Sequence, residues 1–135
     1  MAENKIRIML VDDNVVMLRL MGELLLREPD MTIVGEAHDG KTAMSLVREL
    51  LPDVVLMDIE MSGMDGFQAT QFIHKDLPDV RIIGLSMFEE SEKAAAMRSA
   101  GAVDYVTKSA PPDAVLAAIR ACVRSGSQAP ELGSI

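Results

Sequence analysis

The sequence predicts an α/β fold, a parallel sheet covered by helices on both faces. Three observations lead there. Five short β-like runs each precede a segment with helical spacing. The runs start roughly 22 to 27 residues apart, the length of one strand, one loop and one helix. The first, third and fourth are almost continuously apolar, as strands covered on both faces are. Alternating β and α units joined by right-handed crossovers give a parallel sheet.

The first run is residues 6–11, and Met17, Leu18, Met21, Leu24 and Leu25 then form the apolar stripe of a helix. The second run, 32–37, precedes a helix that begins near Gly40 and ends before Pro52. After the third, 54–57, Phe67, Thr70, Gln71, Ile73 and His74 mark a helix that ends near Pro78. The fourth, 81–85, leads into a weakly apolar helix over 89–100 that contains Ala94, Ala95, Ala96 and Met97 and is closed by Gly101. The fifth is 103–107. Pro111 and Pro112 suit the opening turn of the last helix, whose stripe is Val115, Leu116, Ile119 and Val123. From Ser125 the chain carries Gly, Ser, Gln and Pro with little periodicity, so the expected division is one domain over 1–125 and a disordered tail or linker stub over 126–135.

The chain's 135 residues suit one compact domain. Apolar residues make up 49%, yet there is no Trp, one Tyr and three Phe, so the core must be aliphatic and Met-rich. Met57 is expected in that core, and Met61, Met64 and Met87 exposed in loops. A net charge of −8 argues against nucleic-acid binding, which needs a basic face. Cys122 is the single cysteine, so no internal disulfide forms, a reducing cytosol suits the chain, and the thiol reads as a small apolar group. His38 and His74 lack paired ligand spacing. With no long apolar stretch and no signal-peptide pattern, the expectation is a cytoplasmic domain with no membrane contact.

Asp12 and Asp13 directly follow the first run. Two like charges ~4 Å apart repel by about 4 kcal/mol at an effective dielectric near 20. The pair could serve only as helix N-caps. However, Asp58 closes the third run, and in an open α/β sheet ligands bind beyond the carboxyl ends of the strands, near the switch point. Three carboxylates converging there suit a hard divalent cation such as Mg²⁺. Ser86 ends the fourth run and Lys108 follows the fifth, so acids, a hydroxyl and an ammonium share one mouth. Such a set fits phosphoryl transfer to Asp58.

The motifs "LVDDN", "PDVVLMDIEMSGMDGFQA", "GLSMF" and "GAVDYVTK", in that order, resemble a response-regulator receiver domain of bacterial two-component signalling over about residues 5 to 125. The resemblance implies a flavodoxin-like (βα)5 doubly wound sheet with strand order 2-1-3-4-5. It implies that Asp58 is the phosphoacceptor, with Lys108 pairing with the phosphoryl group and Ser86 swinging to hydrogen-bond it. Asp13, Asp58 and the backbone carbonyl of Glu60 would hold Mg²⁺ or Mn²⁺, and Asp12 would act through a metal-bound water. Tyr105 corresponds to the aromatic switch position. Glu60 and Phe88 occupy the two positions that tune self-dephosphorylation.

By the same resemblance the chain is a signalling switch that catalyses its own phosphorylation and dephosphorylation. The phosphoryl donor would be a sensor histidine kinase, a phosphotransfer protein or a small acyl phosphate, and a homodimer is one form open to the phosphorylated chain. "GEAHDG" and the "GAVDYVTKSAPPDAVLAAIRA" ending are most like receivers linked to a LuxR-type helix-turn-helix, which would control transcription from outside this chain; an excised and a free-standing receiver both fit. Two positions depart from the family pattern: Ser62 and Ser109 stand where proline is usual, and the Lys108–Ser109 bond is therefore expected to be trans. The alternative function is a Mg²⁺-dependent hydrolase that forms an aspartyl phosphate, although such enzymes carry D-x-D after the first strand where this chain has D-D-N. A flavodoxin-type FMN carrier is rejected for want of a phosphate loop and of aromatics to sandwich the flavin.

Overall fold

The computed structural model describes residues 4–61, 66–87 and 91–133. Five strands, β1 (Ile6–Val11), β2 (Met31–Ala37), β3 (Val54–Asp58), β4 (Arg81–Ser86) and β5 (Asp104–Thr107), form one parallel sheet in the order β2-β1-β3-β4-β5. Five helices alternate with them: α1 (Val15–Leu26), α2 (Gly40–Leu50), α3 (Gly66–Asp76), α4 (Ser91–Ala100) and α5 (Pro112–Gly133). The expected fold and strand order are both found.

Side chains alternate along each strand, so the sheet divides the interior into two layers. On one face Met9, Val11, Val55, Met57 and Ile82 meet Ala43 and Val47 of α2, Ala69 and Ile73 of α3, and Met97 of α4. On the other, Ile8, Leu10, Val54, Leu56, Ile83 and Leu85 meet Leu18 and Leu25 of α1 and Val115, Leu116 and Ile119 of α5. Among the described residues, no aromatic ring is fully buried in either layer. Met61, expected to be exposed, is buried in the first layer: it follows Ile59 down onto the α2–α3 side instead of pointing into the loop. Met87 is exposed as expected, and Met64 lies outside the described residues.

Helix ends follow local chemistry. Asn14 caps α1 by accepting from the Val16 and Met17 N–H groups, and Asp39 caps α2 by accepting from Thr42 N–H. Gly101, at φ +120°, closes α4 with Gly101 N–H donating to the Arg98 carbonyl and Ala102 N–H to that of Met97, the paired bonds of a Schellman motif. The Lys108–Ser109 peptide is trans; among the described residues none is cis. α5 departs from the sequence-based boundary. Its apolar stripe ends at Val123, yet the backbone stays helical through Gly126 to Gly133. No helix is long and apolar enough to cross a membrane, among the described residues.

Gly66 fixes how α3 approaches β3. A Cβ there would lie 2.4 Å from the Asp58 carbonyl oxygen and 2.6 Å from Ile59 Cα, both backbone atoms with no freedom to step aside. Glycine is the residue that lets the two backbones touch. Gly66→Ala is expected to cost about 1–3 kcal/mol, the range for forced overpacking, read as a lower urea midpoint. An unshifted midpoint would mean that the loop before α3 absorbs the methyl.

Candidate functional site

The strand order reverses between β1 and β3, and the carboxyl ends of four strands meet there. Asp12 and Asp13 follow β1, Asp58 is the last residue of β3, Ser86 the last of β4, and Lys108 follows β5. Register sets them side by side. Asp58 pairs with Leu85, and Ser86 with Thr107. Two backbone bonds carry the ladder one residue further: Ile59 N–H donates to the Leu85 carbonyl at 3.1 Å, and Lys108 N–H to the Ser86 carbonyl at 2.6 Å.

One carboxylate oxygen from each of Asp12, Asp13 and Asp58 lies within 4.8 Å of the others; Asp12 and Asp58 are buried and Asp13 is exposed. Capping of α1 falls to Asn14, so the aspartate pair is not explained by an N-cap. Lys108 answers part of the repulsion. Its Nζ sits 2.9 Å from Asp12 Oδ2 and 3.1 Å from Asp58 Oδ1, with only 6% of its side chain exposed. Backbone donors complete the set: Asn14 N–H to Asp12 Oδ1 at 2.9 Å, and Glu60 N–H to Asp58 Oδ1 at 3.0 Å.

Burial dominates the electrostatics of Asp58. Loss of water raises its pKa, the Glu60 N–H opposes that, the charge of Asp12 raises it further, and Lys108 pulls it back; the balance leaves it pushed up to about 6. For Lys108, burial disfavours the ammonium. The hydrogen bond to Asp12 and the charges of Asp58 and Asp12 outweigh it, and its pKa is raised.

The donor set fits Mg²⁺. Carboxylate oxygens are its preferred ligands, and one from each of Asp12, Asp13 and Asp58 is close enough to the others to share an ion. The exposed side, at Asp13, leaves room for the waters the ion retains.

The side chain of Glu60 is where sequence reasoning missed most. Its Oε2 accepts from Ser86 Oγ at 2.6 Å and from Lys93 Nζ at 3.2 Å, and its Oε1 accepts from Met87 N–H at 3.1 Å. Partial burial opposes its ionisation. The Ser86 hydroxyl, the Met87 N–H and Lys93 prevail and hold its carboxyl below the usual range. Lys93, on the first turn of α4, carries no signal in the sequence, because nothing in its own helix distinguishes it from a solvated lysine. Ser86 is fully buried, and its hydroxyl meets Glu60. Tyr105 stands outside the acidic corner. It is half-buried on β5, where its ring and Met97 lie over Gly84, two residues before Ser86. Phe88 and Ser62 lie outside the described residues.

Comparison with known proteins places the chain in a family. The model of the response regulator receiver domain matches residues 8–120. The transcriptional regulatory protein LiaR of Bacillus subtilis (strain 168) is 40% identical over 116 residues, covering 86% of this chain and 55% of LiaR. A protein-glutamate methylesterase/protein-glutamine glutaminase of Nocardioides sp. is 42% identical over 107 residues, 78% of this chain and 29% of that protein. A two-component response regulator of the LuxR family from Aurantimonas sp. SI85-9A1 has a crystal structure similar to this one at TM-score 0.86 and 37% identity, covering 90% of this chain and 86% of that one. The chain thus spans about half the length of LiaR and a smaller part of the methylesterase.

The raised pKa of Asp58 has a consequence for stability. Its folded value, about 6, exceeds the unfolded value near 3.9, so the native state holds the extra proton between them. The contribution is fully present below about pH 4 and is lost as pH rises through 6. In EDTA, Asp58→Asn should therefore be more stable than the parent at pH 7.5, by about 1–3 kcal/mol, with the gap narrowing at pH 4.5. Urea midpoints at the two pH values check it; a gap that widened toward acid would reverse the sign assigned here.

Proposed function

This chain belongs to the response regulator receiver domain family, and from that premise we propose that Asp58 is its phosphoacceptor in a Mg²⁺-dependent transfer. It is the receiver domain of a two-component response regulator, a signalling switch. The observation that carries the proposal is the placement of Lys108, held between Asp12 and Asp58 inside a three-carboxylate corner.

In the transfer, an oxygen of the Asp58 carboxylate attacks the phosphorus of a histidine kinase's phosphohistidine or of a small acyl phosphate. The P–N or P–O bond breaks, and its electron pair leaves with the imidazole, which takes a proton, or with the carboxylate of the acyl group. Asp13 and Asp58, with the backbone carbonyl of Glu60, are the residues that would hold Mg²⁺ (or Mn²⁺), with Asp12 acting through a water. The ion supplies charge neutralisation for the phosphoryl oxygens. Lys108 neutralises a further oxygen and aligns the acceptor, and Ser86 donates its hydroxyl to another. Movement of Ser86 opens space for Tyr105 to rotate inward, which couples the site to the face made by α4, β5 and α5.

The wider reading follows the LuxR-type relatives: a cytoplasmic receiver over 1–125, with 126–135 a tail or the stub of a linker, that acts on transcription through an output domain outside this chain, with a homodimer as a form of the phosphorylated state. The same domain reverses its own modification by hydrolysis, with Glu60 and Phe88 setting the rate.

Intact mass after incubation with acetyl phosphate should show one added phosphoryl group. Asp58→Asn or excess EDTA should abolish it, and Asp13→Asn should raise the Mg²⁺ requirement at least about tenfold by removing a ligand. Equal yield from the Asp58→Asn chain would sink the assignment.

Tyr105 is the only tyrosine and there is no tryptophan, so tyrosine emission reports this one ring. Saturating beryllofluoride with Mg²⁺ should change the emission or its quenching by iodide. Ser86→Ala and Lys108→Ala should blunt that change. Identical quenching before and after would retire the coupling of Ser86 to Tyr105.

A further inference from the structure

A serine hydroxyl has one proton to donate. In this structure Ser86 gives it to Glu60 Oε2, at 2.6 Å. Glu60 cannot readily drift away, because Met87 N–H and Lys93 Nζ bind the same carboxylate from the end of β4 and from α4. If Asp58 is the phosphoacceptor and Ser86 serves the phosphoryl group, the hydroxyl must be released by one anion before it can serve the other.

We infer that Glu60 is a positioning residue that sets the threshold for activation: its carboxylate competes with the phosphoryl group on Asp58 for the single proton of Ser86. The competition is one for one. Each molecule with the Ser86–Glu60 bond intact lacks the donor that would stabilise the loaded state, so the bond lowers apparent affinity for any phosphoryl mimic by the fraction of time it is made. Its other two donors, Met87 N–H and Lys93 Nζ, keep the carboxylate in place beside the hydroxyl. The inference rests on the reading of Asp58 and Ser86 given above.

Removing the Glu60 carboxylate has a second effect, weaker repulsion of an incoming anion, and a double-mutant cycle separates the two. The measurement is the beryllofluoride concentration that half-saturates the ¹⁹F NMR signal of the bound species, at fixed Mg²⁺. E60A should lower that midpoint about tenfold, the worth of one hydrogen bond to a charged acceptor. E60Q, which keeps an acceptor oxygen but not the charge, should lower it less. In the S86A background, E60A should leave the midpoint within about twofold, since no hydroxyl remains to be released. An equal lowering with and without Ser86 would reduce Glu60 to simple charge repulsion, and no lowering in either would remove it from the switch; both overturn the inference. Failure of the underlying reading looks different: the parent gives no bound signal, or D58N gives the same signal as the parent.

Discussion

The ammonium of Lys108, shared between Asp12 and Asp58, is the interaction on which this architecture turns. Three carboxylates at one strand-end crevice repel each other, and two of them are buried, where repulsion is least screened. One cation at about 3 Å from both buried carboxylates makes the arrangement tolerable without quenching it. The residual cost remains visible in Asp58, which burial and the Asp12 charge still drive toward its neutral form. A corner so balanced responds to added charge of either sign. On the proposed reading, a cation would relieve the carboxylates, and an anion placed on Asp58 would offer Lys108 a new partner.

The second element of the design is the row of strand ends that delivers these groups. Lys108 reaches inward because its own N–H is fastened to the Ser86 carbonyl, and Ser86 is fastened through its hydroxyl to Glu60. The acidic corner and the start of α4 are therefore joined by covalent neighbours and two polar links, Ser86–Glu60 and Glu60–Lys93. With Asp58 phosphorylated as proposed, this chain of contacts would have two arrangements, set by which anion holds the hydroxyl. That is the physical requirement for passing a change at Asp58 to a helix on the surface.

Much of this was legible in the sequence, for identifiable reasons. The apolar runs and their spacing located all five strands within about one residue, and Asp58, Ser86 and Lys108 were legible as candidate site residues because each stands at a strand end, a position set by local pattern. Pairing between side chains is set by tertiary geometry and leaves no such trace. Glu60 and Lys93 are 33 residues apart, and neither sits in a pattern that names the other. Met61 was misread because the loop it belongs to is polar on average, although its own side chain turns down onto the core. The extent of α5 was misread because Gly126 and Pro130 weaken a helix without forbidding one.

The close approach at Gly66 gives the site a direction of compliance. On the α3 side, the backbone of Asp58 and Ile59 is in contact with the backbone of Gly66, a stop with no side chain to compress. On the β4 and α4 side, the segment meets side chains instead of backbone: the Ser86 hydroxyl and the Lys93 ammonium, joined to Glu60 by hydrogen bonds that can exchange partners. Strain introduced at Asp58 meets a wall on one flank and a set of hinges on the other. Displacement will therefore be rectified: whatever enters the crevice, the yielding flank is the one that faces β4, α4 and β5, and the α3 flank works as the anvil.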